Sequence, residues 1–408
     1  MAKKIKNDMT YDELATSDEY LKKREIYNTG YRNVDTLISC ARYDPNTGEM
    51  IRRNGGILSG SVVGFVGKSG SGKSTLATQM LANTMRKFIK KDIPVKLFII
   101  DIENGMPVHR FANITNFTQE EIDKYVVWTS INDTDDLKEL TAKIIMSKED
   151  EKKMKVTSYL NNEEEIHIPT FILVDAISEL LPDLYADVDS EDSNMMAAKT
   201  AQELMKYFQK YKSQFVRSNI NLYYVAHVGT KANFDGGFNA PPARDFKGMS
   251  NKEKVNGGKA LQYATDIGFN LERIVLATPK ALEDKSLGYL EANDVLQCKL
   301  WKNRQGREGD EFYLVRDKFG FSPIKSFIYE CVAFKIIEAS GSNRKMKNWE
   351  DKFRGKDIIN KMVIDKDFLE CLFKNYDEEK KSILEANKKT NEDRESALAE
   401  LDLFFDEE

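Results

Sequence analysis

The sequence predicts an α/β protein built on a twisted, mostly parallel β-sheet. Three observations carry that expectation. From residue 56 onward, short apolar runs alternate with helix-periodic segments. The runs are apolar throughout rather than alternating, so both faces of the sheet should be covered by helices. One run, "SVVGFVG" at 61–67, passes through a glycine-rich turn directly into a helical pattern at 73–89.

The elements follow in chain order. "TYDELATSDEYLKKREI" places acids early and lysines late, as a helix dipole favours, and "YNTGYRNVDTLIS" reads as a turn-rich link. After the 61–67 strand, Leu76, Met80, Leu81 and Met85 recur near the helical period. "VKLFIIDIE" (95–103) and "TFILVDAISEL" (170–180) are apolar strands running into acids. A long helix is expected at 194–216 and a buried strand at 220–228 ("INLYYVAHV"), followed by "ATDIGFNLERI" and "DVLQCKLWKNR". Two stretches interrupt the pattern. The charged segment 147–168 reads as a surface insertion folded into a hairpin, and 229–258 as a long glycine-containing loop of the kind that is either functional or disordered. Beyond about 326, short helical stretches ("KDIINKMV", "KDFLECLFKNY") imply a small α/β C-terminal domain. The expected division is an N-terminal helical segment at 1–45, a core at 46–325, the small domain at 326–390 and an acidic tail at 391–408.

Composition sets outer limits. The chain has 408 residues, 41% hydrophobic and 31% charged, enough for one large core and a smaller domain. It has no apolar run of roughly 18 residues or more, and its basic start lacks the apolar stretch of a secretory signal. A cytoplasmic location with no membrane partner is expected. Cys40, Cys298, Cys331 and Cys371 are widely spaced and read as reduced thiols rather than a zinc site. The net charge of −5 lies largely in the tail, so the body is close to neutral. Nucleic-acid binding then depends on where the positive charge sits.

The densest chemical signal is Gly67-Lys68-Ser69-Gly70-Ser71-Gly72-Lys73-Ser74, followed by Thr75. It fits GxxxxGK[ST] between a strand and a helix. In that pattern backbone N–H groups turn onto phosphate oxygens, Lys73 neutralises β/γ charge, and the Ser74 hydroxyl helps to hold Mg²⁺. The expected ligands are ATP and Mg²⁺. Asp175, ending an apolar strand, is the candidate second group at the metal; a helix N-cap is the plainer reading. Asp101 and Glu103 end another strand, with alternation placing both on one face. Glu103 lies further toward the phosphate edge and is the candidate general base, a loop acid or helix cap being the alternative. His227 ends "LYYVAH", where an imidazole could report a γ-phosphate or simply be a satisfied structural residue. Lys302 and Arg304 share a strand face and could reach phosphates or stand on a solvated surface.

Together these stretches resemble the RecA-type DNA recombinases. "GGILSGSVVGFVGKSGSGKST" is similar to that family's entry into its phosphate loop. "FIIDIEN" resembles the strand bearing its catalytic glutamate, here Glu103, and "FILVDAISEL" resembles its metal-side strand, here Asp175. "VNGGKALQYATDIGFNLERI" resembles the end of the second DNA-binding loop and the strand beyond it. "KLWKNRQG" resembles the basic pair that crosses the subunit interface to ATP, here Lys302 and Arg304. "VAFKIIEASGSNRKMKNWEDKFRGKDIINKM" is similar to the segment after the core in bacterial RecA. The resemblance runs from about residue 28 to 375, with all motifs in the family's order. It departs where His227 replaces a frequent glutamine, a substitution that phage-encoded relatives can carry, and in the 147–168 insertion. A divergent, phage-encoded member working in the host cytoplasm is the expectation.

The resemblance implies a RecA-like phosphate-loop NTPase core and a DNA-dependent ATPase. It implies a helical homo-oligomer on single-stranded DNA that pairs with homologous duplex DNA and exchanges strands in recombination, repair and recombination-dependent replication. Residues 1–45 would take part in oligomerisation, and a single-strand-binding or mediator protein could be a further partner. Of the two implied DNA loops, the first (181–195) is acidic here, with Asp183, Asp187, Asp189, Glu191 and Asp192. The second carries Lys231, Arg244, Lys247, Lys252, Lys254 and Lys259, the Gly257-Gly258 pair, and Phe234, Phe238 and Phe246. Cations interleaved with aromatics suit single-stranded nucleic acid. Two other readings share the core: a hexameric replicative helicase, and a mediator using ATP only as an assembly switch.

Overall fold

The apolar runs form the strands of one sheet, and their alternation decides what covers each face. A computed structural model describes residues 23–38, 42–43, 50–52, 55–131, 133–158, 162–182, 193–230, 253–255, 258–272, 294–340 and 343–384. The principal sheet contains β1 (Val62–Gly67), β2 (Lys96–Asp101), β3 (Val126–Trp128), β4 (Thr170–Asp175) and β5 (Ile220–Thr230). It continues with β6 (Ile267–Glu272), β7 (Asp294–Asn303), β8 (Glu311–Asp317) and β9 (Gly320–Phe321). Their spatial order is β9-β8-β7-β6-β1-β5-β4-β2-β3. The six strands from β6 to β3 run parallel, and β7, β8 and β9 extend the sheet antiparallel. The protein is therefore α/β, with a nine-strand mixed, largely parallel sheet. Glu253–Val255 adds a short antiparallel ladder to the end of β5.

Odd and even positions of the central strands feed separate cores. Val63 and Phe65 join Leu97, Phe171, Tyr223 and Phe269 under Leu76, Met80, Leu81 and Met85 of α1 (Lys73–Ile89). Val62 and Val66 join Ile172, Val174, Leu222 and Tyr224 under Leu204, Tyr207 and Phe215 of α2 (Ser193–Arg217). Burying both sheet faces explains why these strands lack polar alternation.

A third buried cluster gathers Phe327, Ile328 and Cys331 of α3 (Pro323–Ala333) with Ile337, Met346, Phe353, Phe368, Leu372 and Tyr376. Glu330 is almost fully buried within α3. Its carboxylate accepts hydrogen bonds from Asn33 Nδ2 (2.9 Å), the Tyr313 amide (3.0 Å) and Tyr376 Oη (2.6 Å). One side chain thus ties α3 to the sheet, to the N-terminal region and to the helix Lys366–Glu379.

Two local expectations need correction. The supposed turn-rich link contains a helix, Arg32–Ile38. Its Val34, Leu37 and Ile38 are buried, and Asp35 accepts hydrogen bonds from the Thr29 amide (2.9 Å) and hydroxyl (2.8 Å). The turn stays confined to "NTG", where Gly30 has φ 85°, and the helix beyond it is stabilised by burial. The strand expected over 95–103 ends at Asp101, so alternation does not extend to Glu103. The charged insertion does fold as a hairpin, Met154–Thr157 against Glu163–Ile166. No helix among the described residues is long and apolar enough to cross a membrane.

Candidate functional site

Parallel strands end at a common edge, and here that edge collects the candidate residues. Asp175 pairs in register with Asp101, and His227 with Gly67. Leu271 lies beside Gly67 on the other side. Four parallel strands thus deliver Asp101, Asp175, His227 and the glycine-rich loop to one rim.

The loop is shaped by two glycines. At Gly67 (φ 153°) a Cβ would meet the Leu271 carbonyl oxygen at 2.5 Å. At Gly72 (φ 92°) it would meet Phe321 Cζ at 2.7 Å, so both conformation and space require glycine. Gly72 is the N-cap of α1, and no side chain caps that helix. The first-turn amides of a helix lack intrahelical partners and carry positive potential, which favours an anion. Lys68, Ser69 and Gly70 are exposed; Ser71, Lys73 and Thr75 are buried. The Ser71 hydroxyl is buried without a hydrogen-bond partner in the protein.

Lys73 folds back so that Nζ donates to the Lys68 carbonyl at 2.9 Å. Burial lowers its pKa, opposed by the nearby charges of Asp175 and Glu103. Burial pushes the Asp175 carboxyl up to about 6; the Ser74 hydroxyl bonds to it and works against that rise, whereas Glu103 and Asp101 add to it. Ser74 and Asp175 are therefore in direct contact at the helix entrance. The Asp175–Ala176 peptide bond is cis.

Asp101 and Glu103 part company. The Asp101 carboxylate accepts from the amides of Gly105 (3.1 Å) and Met106 (2.7 Å) and so caps the turn after β2. Glu103, in that turn, reaches across β4 to His227, with Oε1 2.5 Å from Nε2. The His227 amide donates to the Ser178 hydroxyl at 3.5 Å. Glu179, beyond Asp175 in the short 3₁₀ turn Ile177–Glu179, completes a trio with Glu103 and His227 whose ligand atoms all lie within 4.8 Å of one another. That trio, like the Ser74–Asp175 pair, has the donor chemistry to hold a cation.

Lys302 and Arg304 do not converge on this rim within the chain. Lys302 pairs with Glu308 (3.0 Å), and Arg304 Nη2 donates to the Tyr263 carbonyl (2.7 Å) beside Asp266 (Nε, 3.6 Å). Of the cations expected on the second loop, Lys231, Arg244, Lys247 and Lys252 lie outside the described residues, as does Gly257. Lys254 stands on the ladder strand opposite Gly229; Gly258 opens the helix Gly258–Ala264, where Lys259 is exposed. Residues 183–192 of the first loop, residues 1–22 and the acidic tail also lie outside the described residues.

Sequence reasoning missed two residues of the site. Glu179 is one. Arg316 on β8 is the other, its Nη1 3.5 Å from the Gly70 carbonyl. Glu179 follows a recognised strand end and could have been found there. Arg316 is 246 residues from Gly70, and no local pattern marks it.

The chain matches no family model, and no curated protein matches it.

Proposed function

We propose that this protein is an ATP-dependent recombinase of the RecA type, acting as a DNA-stimulated ATPase assembled on single-stranded DNA. The observation that carries the nucleotide part is the convergence on one sheet edge of the glycine-rich loop, buried Lys73, the Ser74–Asp175 contact and the Glu103–His227 pair. A wholly structural role would leave the buried Ser71 hydroxyl without a partner, and it does not account for a buried lysine beside two carboxylates at a helix N-terminus.

In this reading the loop amides and Lys73 bind the phosphates of ATP. Ser74 and Asp175 would hold Mg²⁺, which supplies charge neutralisation when bound. Glu103 orients the attacking water and accepts its proton, and His227 holds Glu103 in place until nucleotide and DNA are engaged. Lys302 and Arg304, turned away from this rim, would serve the site of a neighbouring subunit. The recombinase part draws on the motif order from residue 28 to 375 and on the cationic, aromatic-bearing segment 231–259. The ladder between Val228–Thr230 and Glu253–Val255 supports a link between that segment and the site, because it begins one residue after His227.

The deciding experiment images the protein with single-stranded DNA and a non-hydrolysable ATP analogue. Open helical filaments are the expected result. Closed rings would instead favour a helicase, and no nucleotide-dependent assembly would overturn the proposal.

A further inference from the structure

We propose that Arg316 is a phosphate-binding residue of this site, supplied by the same subunit from the antiparallel side of the sheet. The inference rests on the nucleotide reading above and adds a cation that the GxxxxGK[ST] pattern does not contain. Arg316 is the penultimate residue of β8, where it pairs with Phe321 of β9. Phe321 packs against Gly72, and a Cβ built there would lie 2.7 Å from its ring and 3.7 Å from Arg316 Nη1. Guanidinium Nη1 therefore lies at the mouth of the loop, near Gly72 and 3.5 Å from the Gly70 carbonyl.

The β8–β9 turn is indexed to the helix that follows the loop. Gln79 on α1 accepts from the Phe321 amide (2.8 Å) and donates to its carbonyl (3.2 Å), and Tyr31 Oη donates to the same carbonyl (3.1 Å). Asp317, the adjacent acid, is engaged by Lys325 at 3.0 Å. Arg316 is thus held at a fixed height over the loop by contacts to the element whose N-terminus receives phosphate. A guanidinium presents several donors in a plane and suits phosphate oxygens. It stands beside the loop of its own subunit, whereas Lys302 and Arg304 do not.

The test measures ATP, ADP and adenosine binding to the full chain without DNA, for wild type, Lys73→Ala, Arg316→Ala and Arg316→Lys. Arg316→Ala is expected to weaken ATP and ADP by about tenfold or more and to leave adenosine unchanged. Arg316→Lys should recover part of the loss, and thermal unfolding should match wild type. An equal loss for adenosine would move Arg316 to the base and overturn the proposal. If Lys73→Ala abolishes ATP binding while Arg316→Ala does not alter it, the proposal for Arg316 fails and the nucleotide reading stands. If wild type binds no ATP, both fail.

Discussion

His227 Nε2 lies 2.5 Å from Glu103 Oε1, and the strand bearing His227 is not a neighbour of the strand whose following turn carries Glu103. β4 runs between them and ends at Asp175. The contact therefore bridges over the candidate metal-side acid. It also holds the candidate base in a defined direction although Glu103 is exposed.

Glu103→Gln should lower DNA-stimulated ATP turnover by about 100-fold or more while ATP binding persists. Steady-state turnover and equilibrium binding on the same preparation check this. Unchanged turnover would remove Glu103 from the reaction.

At position 227, the side chain's ability to hydrogen-bond Glu103 should matter more than its charge. His227→Gln is expected to keep a large share of turnover and His227→Ala to lose most of it. A comparison of kcat for the two variants decides this. Equal activities would mean that the contact does not position the base.

Because Lys302 and Arg304 are engaged away from the loop, their variants should bind ATP as wild type does but fail to accelerate turnover on DNA. Mixing Lys73→Ala with Arg304→Ala subunits should then restore some turnover, since an intact loop can face an intact arginine across a mixed interface. The absence of any restoration would argue that the arginine does not act on a neighbour.

Burial raises the Asp35 carboxyl from 3.8 to about 6, with the Thr29 hydrogen bonds opposing the rise. Between these values the folded chain holds a proton that the unfolded chain has released. Stability is therefore favoured at low pH and falls as pH rises through that window. Asp35→Asn keeps an acceptor for Thr29 and should remove this dependence, stabilising the protein at neutral pH by up to about 3 kcal/mol. Denaturant unfolding at several pH values checks the sign.

Glu330→Leu leaves Asn33, the Tyr313 amide and Tyr376 without their acceptor and should cost about 3 kcal/mol. Glu330→Gln retains one oxygen and should cost less. Thermal unfolding of the two variants measures the order.

The central strands were legible because burial on both faces leaves an unbroken apolar run, as in "FILVD" and "LYYVA". The glycine-rich loop was legible because its chemistry is local. Contacts made by distant segments were not. Glu103 and His227 are 124 residues apart, and only the strand order brings them together. Arg316 sits on an antiparallel strand that carries no helix-linked motif. The helix Arg32–Ile38 was hidden because its seven residues gain their stability from burial rather than from propensity. Asp101 ends the same strand region as the candidate base, and its oxygens are committed to two backbone amides.

Among the described residues, both edge strands of the sheet are stubs. Gly320–Phe321 offers two residues at one side and Val126–Trp128 three at the other. Strands this short give a second chain little backbone to grip. Pairing one copy's sheet with another's across these two edges would therefore gain few backbone hydrogen bonds. Contacts there would rest on side chains, which can be loosened and remade without unravelling the fold.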